Sequence, residues 1–259
     1  MGVCCETVSM STVLSDLDIR ESTTGDLIET WELQLPFSRC SFYTFEYLLQ
    51  KAHEESGNLG YVTFHAISQN FTTKAWVPLH ERKSELSLFL MQHLQHENKE
   101  AFDFESLMIF GLLHCVDRSN PVNKAKAFFS VLQDGGSAKQ SHINARDRDW
   151  IPVANKLFRL ACIVPAEGSR QSAKYSAGEL RAISEVMPEV DPDNAFSKVL
   201  GWNDEEVSLL EDLFGTNSTI RFEVFVESCS KHANWIFNAP EVRRRIFEAA
   251  EITMKHFED

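Results

Sequence analysis

Basic residues are scarce in this chain: 25 Lys and Arg stand against 38 Asp and Glu, a formal net charge of −13. A protein that grips nucleic acid needs a basic face to neutralise phosphates and release counterions, so no nucleic-acid partner is expected. The same imbalance favours a basic protein partner, because opposite surface charge speeds and orients encounter. Glycine and proline are also few, 11 and 8, which argues against a turn-rich sandwich or barrel. Long apolar runs are missing; the longest, about Leu107 to Val116, is far too short to span a bilayer. The stretch up to Thr30 lacks a basic region followed by an apolar one, so no secretory signal is expected. On that basis the sequons Asn70-Phe71-Thr72 and Asn217-Ser218-Thr219 read as chance matches.

Cysteine spacing and catalytic signatures are equally uninformative. The six cysteines (Cys4, Cys5, Cys40, Cys115, Cys162 and Cys229) form no C-x-x-C pair and no zinc-finger spacing. Most lie in or beside apolar runs, where a free thiol behaves as a small hydrophobe, so reduced thiols and an intracellular, cytoplasmic setting are expected. The histidines form no H-E-x-x-H and no triad-like pattern. His93 and His96 have helical metal-pair spacing, but Gln95 and Glu97 beside them suggest a polar loop. Gly135-Gly136 lacks the Lys-Ser/Thr of a phosphate loop. Asp147 and Asp149, next to Trp150, read as acids at a helix start, where the helix dipole favours them. No enzyme is expected.

What the chain does have is phenylalanine, 19 residues of it, within 43% hydrophobic and 24% charged residues. That balance suits a packed helical protein, and 259 residues suffice for one large or two small domains with real cores. From Phe42 onward, apolar residues recur at helical spacing. Phe45, Leu48, Leu49 and Ala52 make one such face; Leu90, Met91 and Leu94, then Phe128, Phe129 and Leu132, then Leu209, Leu210 and Leu213 make others. Each run leads into a polar loop that ends in a short β-like tripeptide: Val62-Thr63-Phe64, Phe102-Asp103-Phe104, Ile143-Asn144-Ala145 and Ile220-Arg221-Phe222. A second apolar helical run follows each tripeptide, as with Leu107, Phe110 and Leu113 after the second. Helix, loop, one apolar β-residue and helix thus occur four times, an internal repeat. The expected divisions are an N-terminal arm (1–36), a first lobe (37–118), a second lobe (119–239) with an insert near 162–200, and a C-terminal helix (240–259).

This repeat resembles the EF-hand superfamily, in particular four-handed sensors of the recoverin and calcineurin B type. The second repeat fits without gaps: Leu90, Met91 and Leu94 lead into a loop Gln95–Ser106, with Phe102 at its eighth position and Leu107 and Phe110 in the exit helix. The resemblance implies an all-α fold with short β-ribbons, built as two EF-hand-like lobes of paired helix-loop-helix units. Val62 should then face Phe102, and Ile143 should face Ile220, in antiparallel ribbons. The calcium ligands depart from the pattern. A calcium loop needs oxygens early and a bidentate Glu at its twelfth position. Here the twelfth positions hold Ala66, Ser106 and Val224 in the first, second and fourth loops, and Lys99 puts an ammonium at the fifth position of the second. Only the third loop keeps acids near its start and at its end, Asp134 and Asp147, which are the candidate metal residues. No cofactor is otherwise expected.

A lobe without metal can hold a partner constitutively, so the resemblance implies a calcium-independent adaptor or subunit whose apolar groove takes an amphipathic or basic helix. Two other readings stay open: a calcium sensor using the third loop, and an unrelated helical structural protein whose Phe-rich faces are simply core. At the N-terminus, Gly2 stands at the myristoylation position and Cys4 and Cys5 offer palmitoylation, although Glu6 replaces the usual Ser or Thr. Membrane association through this end is therefore an expectation. At the other end, Val242, Ile246, Ala249 and Ala250 form the apolar face of a helix from Pro240 to Phe257, with Arg243, Arg244 and Arg245 expected largely on solvated faces.

Overall fold

The computed structural model of the chain describes residues 32–33, 35–97, 99–116, 121–134, 142–144, 151–172 and 209–249. The described residues are mostly helical, with two small antiparallel sheets among them. The first half contains α1 (Phe42–Glu55), β1 (Tyr61–Val62), α2 (Phe64–Asn70), the single turn α3 (Val77–His80), α4 (Glu85–Leu94), β2 (Phe102–Asp103) and α5 (Phe104–His114). The second contains α6 (Val122–Asp134), β3 (His142–Asn144), α7 (Ile151–Ser172), α8 (Leu209–Phe214), β4 (Thr219–Arg221), α9 (Phe222–Lys231) and α10 (Ala239–Ala249).

Four helices, α1, α2, α4 and α5, start where short polar side chains satisfy orphan amides. Ser41 accepts from the Thr44 N–H at 3.2 Å, Thr63 from Ala66 at 3.2 Å, Ser84 from Ser87 at 3.0 Å and Asp103 from Ser106 at 2.8 Å. Along α1 the buried positions are Phe42, Phe45, Leu49 and Ala52, one apolar stripe, while Leu48 is only partly covered. α5 differs: every residue from Ser106 to His114 is buried. A helix apolar all round must lie inside the protein, and α5 packs against α1, α6 and α7.

Both expected pairings are present. Val62 faces Phe102, and Ile143 faces Ile220, each in an antiparallel ladder. All four side chains are buried, because a β-residue between two amphipathic helices points to the side on which both helices pack. The buried residues of the two halves form one continuous apolar core. Two features differ from expectation. α7 runs on to Ser172, so the start of the expected insert is a continuation of helix. Arg243 is buried, not solvated, because α10 lies against α7 and turns that side chain inward; Arg244 is exposed as expected. The Phe-rich faces are core, filled by the chain itself. Among the described residues, no helix is long and apolar enough to cross a membrane.

Candidate functional site: closed loops and filled apolar faces

The first loop is held by a seryl hydroxyl. Ser56 Oγ donates to the Ala52 carbonyl at 2.7 Å and accepts from the Thr63 N–H at 3.1 Å, tying the end of α1 to the start of α2. The tight path needs left-handed backbone at Gly57 (φ 88°), Asn58 (φ 54°) and Gly60 (φ 77°), which glycine and asparagine adopt most easily. The Gly60 N–H donates to His53 Nε2 at 3.4 Å, and the His53 ring stacks on Phe104 at 3.9 Å. Ala66, at the position where the resemblance would put a bidentate ligand, is buried in the core.

The second loop closes on itself. The His96 N–H donates to the Ala101 carbonyl at 2.9 Å, and Gln95 bridges to Phe102. Ser106 gives both its N–H (2.8 Å) and its hydroxyl (2.5 Å) to Asp103 Oδ1, so the oxygens nearest the loop's end are spent on each other. The nearby acids also have a cation. Lys156 of α7 places Nζ 2.6 Å from Glu105 and 3.5 Å from Asp103. Half-burial pushes the lysine pKa down, but the Glu105 hydrogen bond and the two carboxylate charges outweigh it and raise the pKa overall.

The acid before the fourth loop is likewise engaged. Asp212 accepts from the Trp235 indole N–H at 2.6 Å and lies 3.6 Å from Arg245, whose guanidinium covers the Trp235 ring at 4.2 Å. Val224, the fourth loop's last position by the resemblance, is exposed. Asp134 is the last residue of α6, at the start of the third loop. Asp147 lies outside the described residues, as do Gly2, Cys4 and Cys5. Among the described residues, no three His, Cys, Asp or Glu side chains gather where they could hold a metal ion.

Two aromatic clusters, which periodicity did not reveal, fill the core of the two halves. Phe37 and Trp76 meet edge-on at 5.1 Å and pack against Phe45, Phe71 and Phe110. In the second half, Trp235 and Phe237 pack on Phe158 and Phe128. Each tryptophan sits in a 3-10 turn, Lys74–Trp76 or Asn234–Phe237, following the exit helices α2 and α9. A Trp a few residues beyond an exit helix was the available sequence signal.

With the core filled, the apolar surface still exposed lies outside. Tyr43 and Tyr47, one turn apart on α1, are 66% and 52% exposed, and Lys51 Nζ lies 4.7 Å over the Tyr47 ring. The acids of the same helix are Glu46, Glu54 and Glu55; burial raises the pKa of Glu46. Comparison with protein-family models, with curated proteins and with solved structures gives no match.

Proposed function

We propose that the chain is a calcium-independent EF-hand-like adaptor or subunit that holds a partner protein, tethered to a membrane by acylation of Gly2, Cys4 and Cys5. One observation carries this reading. Both ribbons keep the register of paired helix-loop-helix units, while the hydroxyls and acids around the first two loops are taken up by the chain's own hydrogen bonds and by Lys156. A fold maintained in this way needs no metal to stay assembled.

The filled core moves the proposed contact from an internal groove to the outer face of α1. Tyr43 and Tyr47 offer large, stiff, amphipathic contacts there, and Glu54 and Glu55 at its end are exposed acids. The face carries Lys51 over Tyr47 as well as Glu54 and Glu55, and on a chain of net charge −13 its two exposed acids suit a basic amphipathic helix.

The probe is a labelled Lys/Leu amphipathic helix titrated with the full chain, once in excess chelator and once in millimolar calcium. Equal affinity in both, weakened by added salt and roughly tenfold by Tyr43→Ala with Tyr47→Ala, supports the reading. Binding that requires calcium would favour the sensor reading, and no binding at either condition would remove the proposed contact face.

A further inference from the structure

Two thiols far apart in sequence are brought beside each other at an isolated parallel bridge. The segment leaving the arm meets the end of α5 in a parallel bridge between Ser41 and Val116. The Val116 N–H donates to the Cys40 carbonyl at 3.0 Å, and the Phe42 N–H donates to the Val116 carbonyl at 3.1 Å. Cys40 (φ −113°, ψ 138°) and Cys115 (φ −73°, ψ 144°) are both extended, so the register sets them side by side on the preceding rung. Hydrogen-bonded strands lie about 4.8 Å apart, and facing residues of a parallel pair project to the same side. Disulfides span Cα separations of roughly 4.4–6.8 Å, which includes that spacing.

We propose that Cys40 and Cys115 are a modification site: a dithiol that closes to an intramolecular disulfide on exchange with a small-molecule disulfide such as oxidised glutathione. Their unequal exposure sets the order of steps. Cys40 is partly exposed, and Cys115 is buried. The Cys40 thiolate attacks the incoming disulfide, forming a mixed disulfide and expelling one glutathione thiolate. The Cys115 thiol gives its proton to solvent, and its sulfur attacks Cys40 Sγ, expelling the second glutathione. The protein pair is oxidised by two electrons and one glutathione disulfide is reduced to two thiols. Lys124 stands by the second step: its ammonium donates to the Cys115 carbonyl at 2.8 Å and favours the thiolate.

The electrostatics agree with the geometry. Burial pushes the Cys115 thiol well up, and the neighbouring Cys40 charge pushes it in the same direction, so the two sulfurs sense each other. Burial also raises Cys40, against a hydrogen bond from the Phe45 backbone. High-pKa thiols are slow nucleophiles but poor leaving groups, so the bond should form slowly and resist reduction once made. It would fasten the end of the arm to the end of the central helix.

The test equilibrates the full-length protein in a series of reduced and oxidised glutathione buffers. Free thiols are then trapped by alkylation and the digest is mapped by mass. A Cys4→Ser, Cys5→Ser background removes competing exchange. The expected result is one linked peptide joining Cys40 to Cys115, lighter by two hydrogens than the separate peptides, with a denaturation midpoint that rises on oxidation and falls back on reduction. Cys40→Ser abolishes the linked peptide, and Cys162→Ala leaves it intact. Cys40 stopping at the glutathione adduct, or both thiols staying alkylatable across the series, overturns the proposal.

Discussion

The carboxylate of Glu32 and the guanidinium of Arg243, 211 positions apart, meet as a buried two-pronged pair with N–O distances of 2.6 and 3.0 Å. Arg243 Nη1, which donates to Glu32 Oε1, also donates to the Ala161 carbonyl at 2.8 Å, and His114 Nδ1 stands 3.8 Å from Glu32. One side chain of α10 thereby ties the arm to α7, beside the end of α5. Arginine suits the task because its planar fork matches a carboxylate and keeps a donor for the carbonyl.

Arg243→Met leaves Glu32 buried without a counter-charge and should lower unfolding free energy by about 3–5 kcal/mol. The double variant Glu32→Leu with Arg243→Met removes both charges and should lose much less than the sum of the two single changes. Urea denaturation of the four proteins measures this coupling. Strict additivity would mean that the pair does not act as a unit.

His114 should make the protein acid-sensitive. Burial, then the charges of Arg243 and Lys124, lower its pKa to about 3, and Arg243 already neutralises the nearby carboxylate of Glu32. An unfolded histidine titrates near 6.5. Below that pH the unfolded chain takes up a proton that the folded chain refuses, so stability falls as pH drops from about 6.5 towards 3. The slope is roughly 1.4 kcal/mol per pH unit, and the contribution is flat above pH 6.5. Denaturation midpoints of the wild type and His114→Gln over this range should diverge by that slope; parallel curves would show that His114 is protonated in the fold.

What was legible in the sequence was what local pattern dictates. An apolar residue flanked by two amphipathic runs has one way to bury itself, so Val62, Phe102, Ile143 and Ile220 could be matched across gaps of unequal length. Arg243 was misread because a charged residue beside an apolar stripe is usually solvated, and its partner is remote in sequence. Trp76, Trp235 and the Cys40 and Cys115 pair were missed for a related reason: they lie in short irregular turns, where periodicity carries no signal and only packing decides direction. In the loops only the missing side-chain ligands could be read locally. Ala66 cannot ligate a metal, but nothing local revealed that Ser56 would fasten the loop instead.

Gly111 offers a test of the packing around α5. In an exposed helix, glycine to alanine should gain about 1 kcal/mol. Here an added Cβ would lie 2.0 Å from Phe45 Cε1, so the ring or the helix must move. Gly111→Ala should therefore destabilise by about 1–3 kcal/mol, the usual cost of overpacking a filled core. Adding Phe45→Leu should recover part of that loss by giving the methyl room. A stabilised single variant would place the ring away from the Gly111 backbone.

Calcium binding distinguishes the adaptor from the sensor most directly. The first loop offers the buried Ala66 where a bidentate carboxylate is needed, and the fourth offers the exposed, apolar Val224. In the second, Ser106 is bonded to Asp103, and Lys156 already supplies a positive charge to Asp103 and Glu105. Calcium requires six to eight oxygens, and a bound ion would have to displace that lysine and break the Ser106 contacts. No site is expected from these three loops, whereas Asp134 and Asp147 leave the third open to one weak site. Calorimetric titration to millimolar calcium should show at most one weak binding event, and Asp134→Asn with Asp147→Asn should remove it. Two or more sites of micromolar affinity, or heat that survives the double substitution, would show that the loops still coordinate and that the hydrogen bonds closing them open readily.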